Sequence, residues 1–143
     1  MTARARLRRV WTSYRGLPAG VQMWMPLLFG VNLAGFAFLG TEIGFWTAVA
    51  IAFIASITLT TMLIQGGLSR LLAFPHFLWA PLIIYIAMRL FGYTAGTVEN
   101  PEFSFGLMVM VVNGISLTFD VVDASRWLGG DRNILGLDGV IHA

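Results

Sequence analysis

Apolar runs of about 20 residues recur four times along this chain, separated by short polar or glycine-rich connections. A helix of that length is what crosses the hydrocarbon core of a bilayer. The pattern predicts spans at about residues 21–39, 44–64, 71–91 and 101–123. Connections as short as GTEI and QGGLSR make successive spans antiparallel neighbours. Ser69 is placed to cap the third span, while Asn100 can cap the fourth with Pro101 at its first helical position. Pro75 and Pro81 are expected to kink the third span, and no discontinuous or inverted-repeat helix is read from the pattern.

Ahead of these spans, residues 3–15 place Leu7, Val10, Trp11 and Tyr14 at i, i+3, i+4 and i+7, with Arg4, Arg8, Arg9 and Arg15 turned away. This is the pattern of an interfacial helix on anionic headgroups, its membrane-surface contacts being Arg4, Arg8, Arg9, Trp11 and Arg15. GLPAG then breaks the helix. A signal peptide is the competing reading, but the residues before Gly40 lack a small-x-small pattern and the apolar run is too long, so a retained anchor is expected. The glycine-rich tail, 127–143, reads equally as a flexible end or a surface-lying segment. The fold class expected is an all-α polytopic integral membrane protein, with 1–143 as one membrane domain: an N-terminal amphipathic helix and four transmembrane helices in an antiparallel bundle.

Composition agrees with this patterning, because 57% of the 143 residues are hydrophobic and 11% charged, against roughly 25% charged in soluble domains. The absence of cysteine excludes disulfides and thiolate metal sites. All nine Lys/Arg positions are arginine, a bias expected of GC-rich bacterial coding. Five precede span one, Arg70 follows span two, and Arg126 and Arg132 follow span four. Glu42, Glu99 and Glu102 fall on the opposite side. Positive charge favours the cytoplasmic side, which predicts a multi-pass protein of the bacterial inner membrane with both termini cytoplasmic. Arg89 departs from the rule and is expected to snorkel outward or pair with Glu99 or Glu102.

The helix faces carry the candidate chemistry. Gly44, Ala48, Ala52, Ser56 and Thr60 recur every fourth residue in span two, and Ala73, Ala80 and Ala87 every seventh in span three, both suited to close helix packing. In span four, Gly106, Asn113, Asp120 and Trp127 share one face, with Ser116 and Asp123 at its edge. An acid in lipid costs about 2.5 to 3.5 kcal/mol at a span centre, so this face should be covered. Asn32 is the matching mid-depth amide in span one, which predicts an Asn32–Asn113 hydrogen bond. Asp120 and Asp123 need cations, and Arg70 and Arg126 are expected to form an ion-pair cluster with them. The alternative is a proton or cation path along Asn32, Asn113, Ser116, Asp120 and Asp123.

His76 shares a face with Trp79, Ile83 and Ile86. It reads as a hydrogen-bonded interfacial histidine, or alternatively as an axial ligand for haem or a chlorophyll-type pigment, with His142 or a second chain completing a bis-histidine site. No HExxH, GxSxG or phosphate-binding glycine loop is present. Glu99 and Glu102 read as favourable charges at a helix start rather than metal ligands. No enzyme activity, metal, cofactor or nucleic acid partner is therefore expected. The leading functional expectation is an accessory or assembly subunit of an inner-membrane complex, or a homo-oligomer, with other membrane subunits and anionic lipid as partners. A channel or transporter subunit and a pigment-binding protein are the alternatives.

Overall fold

The computed structural model describes residues 2–92 and 98–137. Helix α1 (Ala3–Arg15) opens at Thr2, whose hydroxyl accepts the Ala5 N–H at 3.3 Å. Helix α2 (Ala19–Leu33) tightens into a 3-10 turn (Ala34–Phe38). Helix α3 (Glu42–Gln65) stops at Gly66, which takes the left-handed conformation (φ 68°) that ends a helix cheaply only at glycine. A 3-10 turn (Arg70–Leu72) leads into α4 (Ala73–His76) and α5 (Trp79–Leu90), and α6 (Asn100–Leu128) closes the helical part. Four stretches, Ala19–Phe38, Glu42–Gln65, Arg70–Leu90 and Asn100–Leu128, are long and apolar enough to cross a membrane.

Three local expectations need correction. Ser69 caps nothing with its side chain, since its hydroxyl donates to the Gln65 carboxamide one turn back in the chain. The residue flanking α6 is Glu99, again without a side-chain cap, while Pro101 does occupy the first turn. The third span is interrupted rather than merely kinked. Pro81 has no N–H for the Phe77 carbonyl, and the Ala80 N–H takes that carbonyl at 3.1 Å. Phe77 and Leu78 also bond three residues back, to Phe74 and Pro75. Three-residue steps wind more tightly than an α-helix, so α4 ends at His76 and α5 begins at Trp79.

Helix α6 packs against α2, α3, α4 and α5. The core between them comprises Val31, Ile43, Ile51, Ile54, Trp79, Leu82, Ile86, Phe105 and Val109. Phe38 stacks on Phe105 with ring centroids 4.6 Å apart, joining the end of the first apolar stretch to α6. Outward-facing positions such as Leu27, Phe53, Ile84 and Phe119 are apolar as well.

The small-residue row of α3 divides in two. Gly44 and Ala48 are buried, whereas Ala52, Ser56 and Thr60 are exposed. Four residues turn a helix through roughly 400°, so the row drifts by about 40° at each step and leaves the interface. The buried face instead follows Ile43, Thr47, Ile51 and Ile54. In the third span Ala73 is buried, while Ala80 and Ala87 are half-buried. The close approach is at the start of α3, where a Cβ on Gly44 would overlap the Phe38 carbonyl. Gly44→Ala should therefore lower unfolding stability in detergent by about 1–3 kcal/mol, the usual range for overpacking. Gly30→Ala, with no atom within 4 Å of the added methyl, should be neutral or stabilising. Equal stabilities for the two variants would contradict this packing.

Candidate functional site

The polar stripe lies on the buried side of α6. Glu102, Gly106, Val109, Asn113, Ser116 and Asp120 are all buried, and their steps of four and three residues keep one helical face turned inward. At its middle, Asn32 Nδ2 donates to Asn113 Oδ1 at 2.7 Å and Asn113 Nδ2 donates to Asn32 Oδ1 at 2.9 Å. Both residues are fully buried. Asn32 also donates to the Leu28 carbonyl at 2.9 Å. The pair thus satisfies both amides and ties α2 to α6.

Lower on the same face, Asp120 accepts from two directions. Ser116 Oγ donates to Asp120 Oδ2 at 3.1 Å, and His76 Nδ1 lies 2.9 Å from Asp120 Oδ1. The His76 ring is near-parallel to that of Trp79, with centroids 6.4 Å apart. The partner of Asp120 is therefore a histidine at the break in the third span, not an arginine. Because Nδ1 is the engaged nitrogen, only Nε2 remains for any axial ligand, and His142 lies outside the described residues. Among the described residues no three His, Asp or Glu side chains gather as a metal-binding group.

Arg70 supplies the arginine of the cluster. Its Nη1 meets Asp123 Oδ1 at 2.6 Å and its Nε meets Asp131 Oδ2 at 2.7 Å. Arg126, expected here, is on the exposed side of α6 and makes no ion pair among the described residues. Asp123 is already turned across to Arg70, and the second acid comes from the tail. The Arg70 side-chain hydrogen bond holds the Asp131 carboxyl below its ordinary value, more than offsetting partial desolvation. Trp127, at the end of the stripe, lies under the Arg132 guanidinium, 5.4 Å from its ring centroid.

This ion pair belongs to a larger clasp joining α1, the 66–70 connection and the tail. The Ser13 hydroxyl donates to the Leu135 carbonyl at 2.6 Å and accepts the Leu68 N–H at 2.9 Å. The Leu135 N–H in turn donates to the Leu68 carbonyl at 2.7 Å, and Ser69 and Ile134 form a single antiparallel bridge. Gly136, at φ 73°, packs so closely that a Cβ would overlap the Ser13 carbonyl. Residues 131–137 are thus a docked segment. The other anchor of α1 follows from Pro26, which leaves the Gln22 carbonyl without its helical donor. Tyr14 donates its hydroxyl to that carbonyl at 2.6 Å, and Gln22 Nε2 donates to the Leu17 carbonyl at 2.7 Å.

These anchors divide the apolar stripe of α1. Val10 and Tyr14 pack inward against Leu17, Leu68 and Leu72, while Leu7 and Trp11 are more than half exposed. Arg4, Arg8, Arg9 and Arg15 are exposed too.

At the far end of α6, Glu102 is buried and its Oε1 accepts the Ile43 N–H at 3.1 Å. Thr41 Oγ1 accepts the Gly44 N–H at 3.1 Å, so a side chain from α6 helps to cap α3. A carboxylate there also meets the positive end of the helix dipole. Arg89 Nε lies 3.4 Å from Glu42 Oε2, and the Tyr85 hydroxyl donates to the same oxygen at 2.7 Å. Glu42, rather than Glu99 or Glu102, is the acid facing Arg89. Between Glu102 and Asn113 lies about 16 Å of helix whose inward residues, Phe105, Gly106 and Val109, pack in the same core as Ile43 and Ile86.

Sequence reasoning missed Ser13, Gln22 and Asp131, and treated His76 and Asp120 separately. Comparison of the chain with protein-family models, curated proteins and solved structures finds no match.

Asn113→Leu should strand the Asn32 amide and lower stability by about 1–2 kcal/mol in a detergent unfolding titration. The double replacement Asn32→Leu with Asn113→Leu should recover most of that loss. Additive losses would show that the amides do not act as a pair. The Asp131 shift has a sign as well: a depressed carboxyl adds stability above its unfolded value, near 3.8, and loses it as pH falls through the folded one. Exchange of the Leu135 amide should stay protected at neutral pH and lose protection, beyond the intrinsic pH effect, only under more acidic conditions. Asp131→Asn should weaken that protection already at pH 7.

Proposed function

We propose that this chain is a non-catalytic, multi-pass protein of the bacterial inner membrane, its spans antiparallel and both termini cytoplasmic, serving as an accessory or assembly subunit or as a homo-oligomer. The observation that carries this reading is that the polar stripe is occupied by its own chain. Asn113 pairs with Asn32, Asp120 with His76 and Ser116, and Asp123 with Arg70. Polar groups matched in this way fix helix packing. The apolar layer of Phe105 and Val109 separates the two polar ends of α6, which favours packing over conduction.

Association is supported by what the fold leaves outside. Helix α2 buries only Val31 and Asn32 of its 15 residues. Ala52, Ser56 and Thr60 present small side chains on the outer face of α3, where another helix can approach closely. The arginine-bearing α1, the connection and the tail meet at one end, which fits the cytoplasmic side.

Light scattering of gently extracted protein should show a stable assembly larger than one chain. Replacing Ala52 and Ser56 with isoleucine should dissociate it while helix content is retained. A strictly monomeric wild-type protein would overturn the assignment.

A second reading, proton or cation movement along α6, draws on the His76–Asp120 contact beside the interrupted third span. On that reading, Asp120→Asn and Asp123→Asn should abolish ion flux in proteoliposomes. Flux unchanged by both substitutions removes it.

A further inference from the structure

An open groove of about 720 Å³ runs between α1 and the docked tail, lined by Arg4, Arg8, Arg9 and Thr12 on the helix and by Leu137 across from them. The three guanidiniums are exposed, and the contacts to acids among the described residues are made by Arg70, Arg89 and the His76 ring. Among the described residues the lining is therefore positive, with no acidic side chain. Its walls are held from both sides. Ser13 binds α1 to Leu68 and Leu135, Tyr14 binds it to Gln22, and the tail is pinned through Asp131 to Arg70.

Around the axis of α1, Arg4 and Arg8 follow directly on Leu7 and Trp11, at 100° per residue. Leu7 and Trp11 are 58% and 59% exposed, an arrangement suited to the boundary between acyl chains and headgroups. An anion bound by Arg4 and Arg8 would thus lie beside an apolar surface that itself favours lipid. A guanidinium reads phosphate oxygens in a two-pronged geometry, so the arginines carry the recognition; the Thr12 hydroxyl in the lining already donates to the Arg8 carbonyl at 3.0 Å. We propose that this groove binds the phosphate headgroup of an anionic phospholipid, fixing α1 and the tail against the membrane surface. The proposal rests on the reading of α1 as a membrane-surface helix.

The test uses the full chain in non-ionic detergent, titrated with phosphatidylglycerol or phosphatidylcholine, with bound lipid counted by native mass spectrometry. Each arginine near an anionic surface contributes about five-fold in affinity. Wild-type protein should therefore retain phosphatidylglycerol at least about ten-fold more strongly than phosphatidylcholine. The triple variant R4Q/R8Q/R9Q should lose that preference, whereas R126Q, which removes an exposed arginine outside the groove, should keep it. Equal retention of the two lipids by wild-type protein overturns the proposal, and does so whether or not the triple variant folds. So does an equal loss in R126Q, which would indicate net charge alone. Displacement of the lipid by inorganic phosphate at matching concentration would assign the groove to free phosphate instead. The size of the assembly, read separately by light scattering, tests the accessory or oligomeric role independently of this groove.

Discussion

A polar side chain on a helix surrounded by hydrocarbon has no water to turn to, so its partner must come from another helix or from its own backbone. For the spans proposed here this requirement shapes the bundle around α6. Its buried face meets α2 through the paired amides Asn32 and Asn113, and the third span through Asp120 and His76. Glu102 reaches the first turn of α3. Each contact joins a different helix, so α6 cannot rotate without breaking several polar matches at once. Apolar packing supplies area along the same face, but it tolerates small rotations far better than a hydrogen bond does.

Backbone groups obey the same rule, and two prolines show how it is met. Pro26 deprives the Gln22 carbonyl of its helical donor, and Tyr14 from α1 fills the gap. The resulting bond holds α1 to α2, so a defect in one helix becomes a joint between two. Pro81 is handled locally, through tighter three-residue steps. That interruption leaves His76 as the last residue of α4, where it faces Asp120.

The four long apolar helical stretches, and the inward turn of Asn113, Ser116 and Asp120, were legible because one periodicity governs both hydropathy and burial. The Asn32–Asn113 bond was legible for a related reason: two amides within long apolar helices have few other partners. Prediction failed where a single straight helix was the wrong ruler. A strict four-residue row drifts, which is why Ala52, Ser56 and Thr60 leave the face begun by Gly44. The His76–Asp120 contact depends on the broken third span, and composition shows the prolines without showing where their carbonyls will be satisfied. Docking of the tail depends on backbone hydrogen bonds to Leu68 and Ser13 and on a positive φ at Gly136, none of which has a hydrophobic period.

The two ends of the bundle solve different problems. At the Glu102 end, carboxylates serve the start of α3 and face Arg89, so the acids stabilise helix ends directly. At the other end, α6 approaches its C-terminus, where its dipole disfavours Asp120 and Asp123. Arg70 offsets the charge of Asp123 from the neighbouring helical segment, the His76 ring contacts Asp120, and Arg70 also recruits Asp131. The charge that offsets an unfavourable helix end is thus the charge that holds the tail. Ser13 then couples the tail to α1, which makes the position of α1 depend on how the acids of α6 are neutralised. A polar stripe that begins as an internal packing device accordingly ends by ordering the exposed arginine-rich face of the protein.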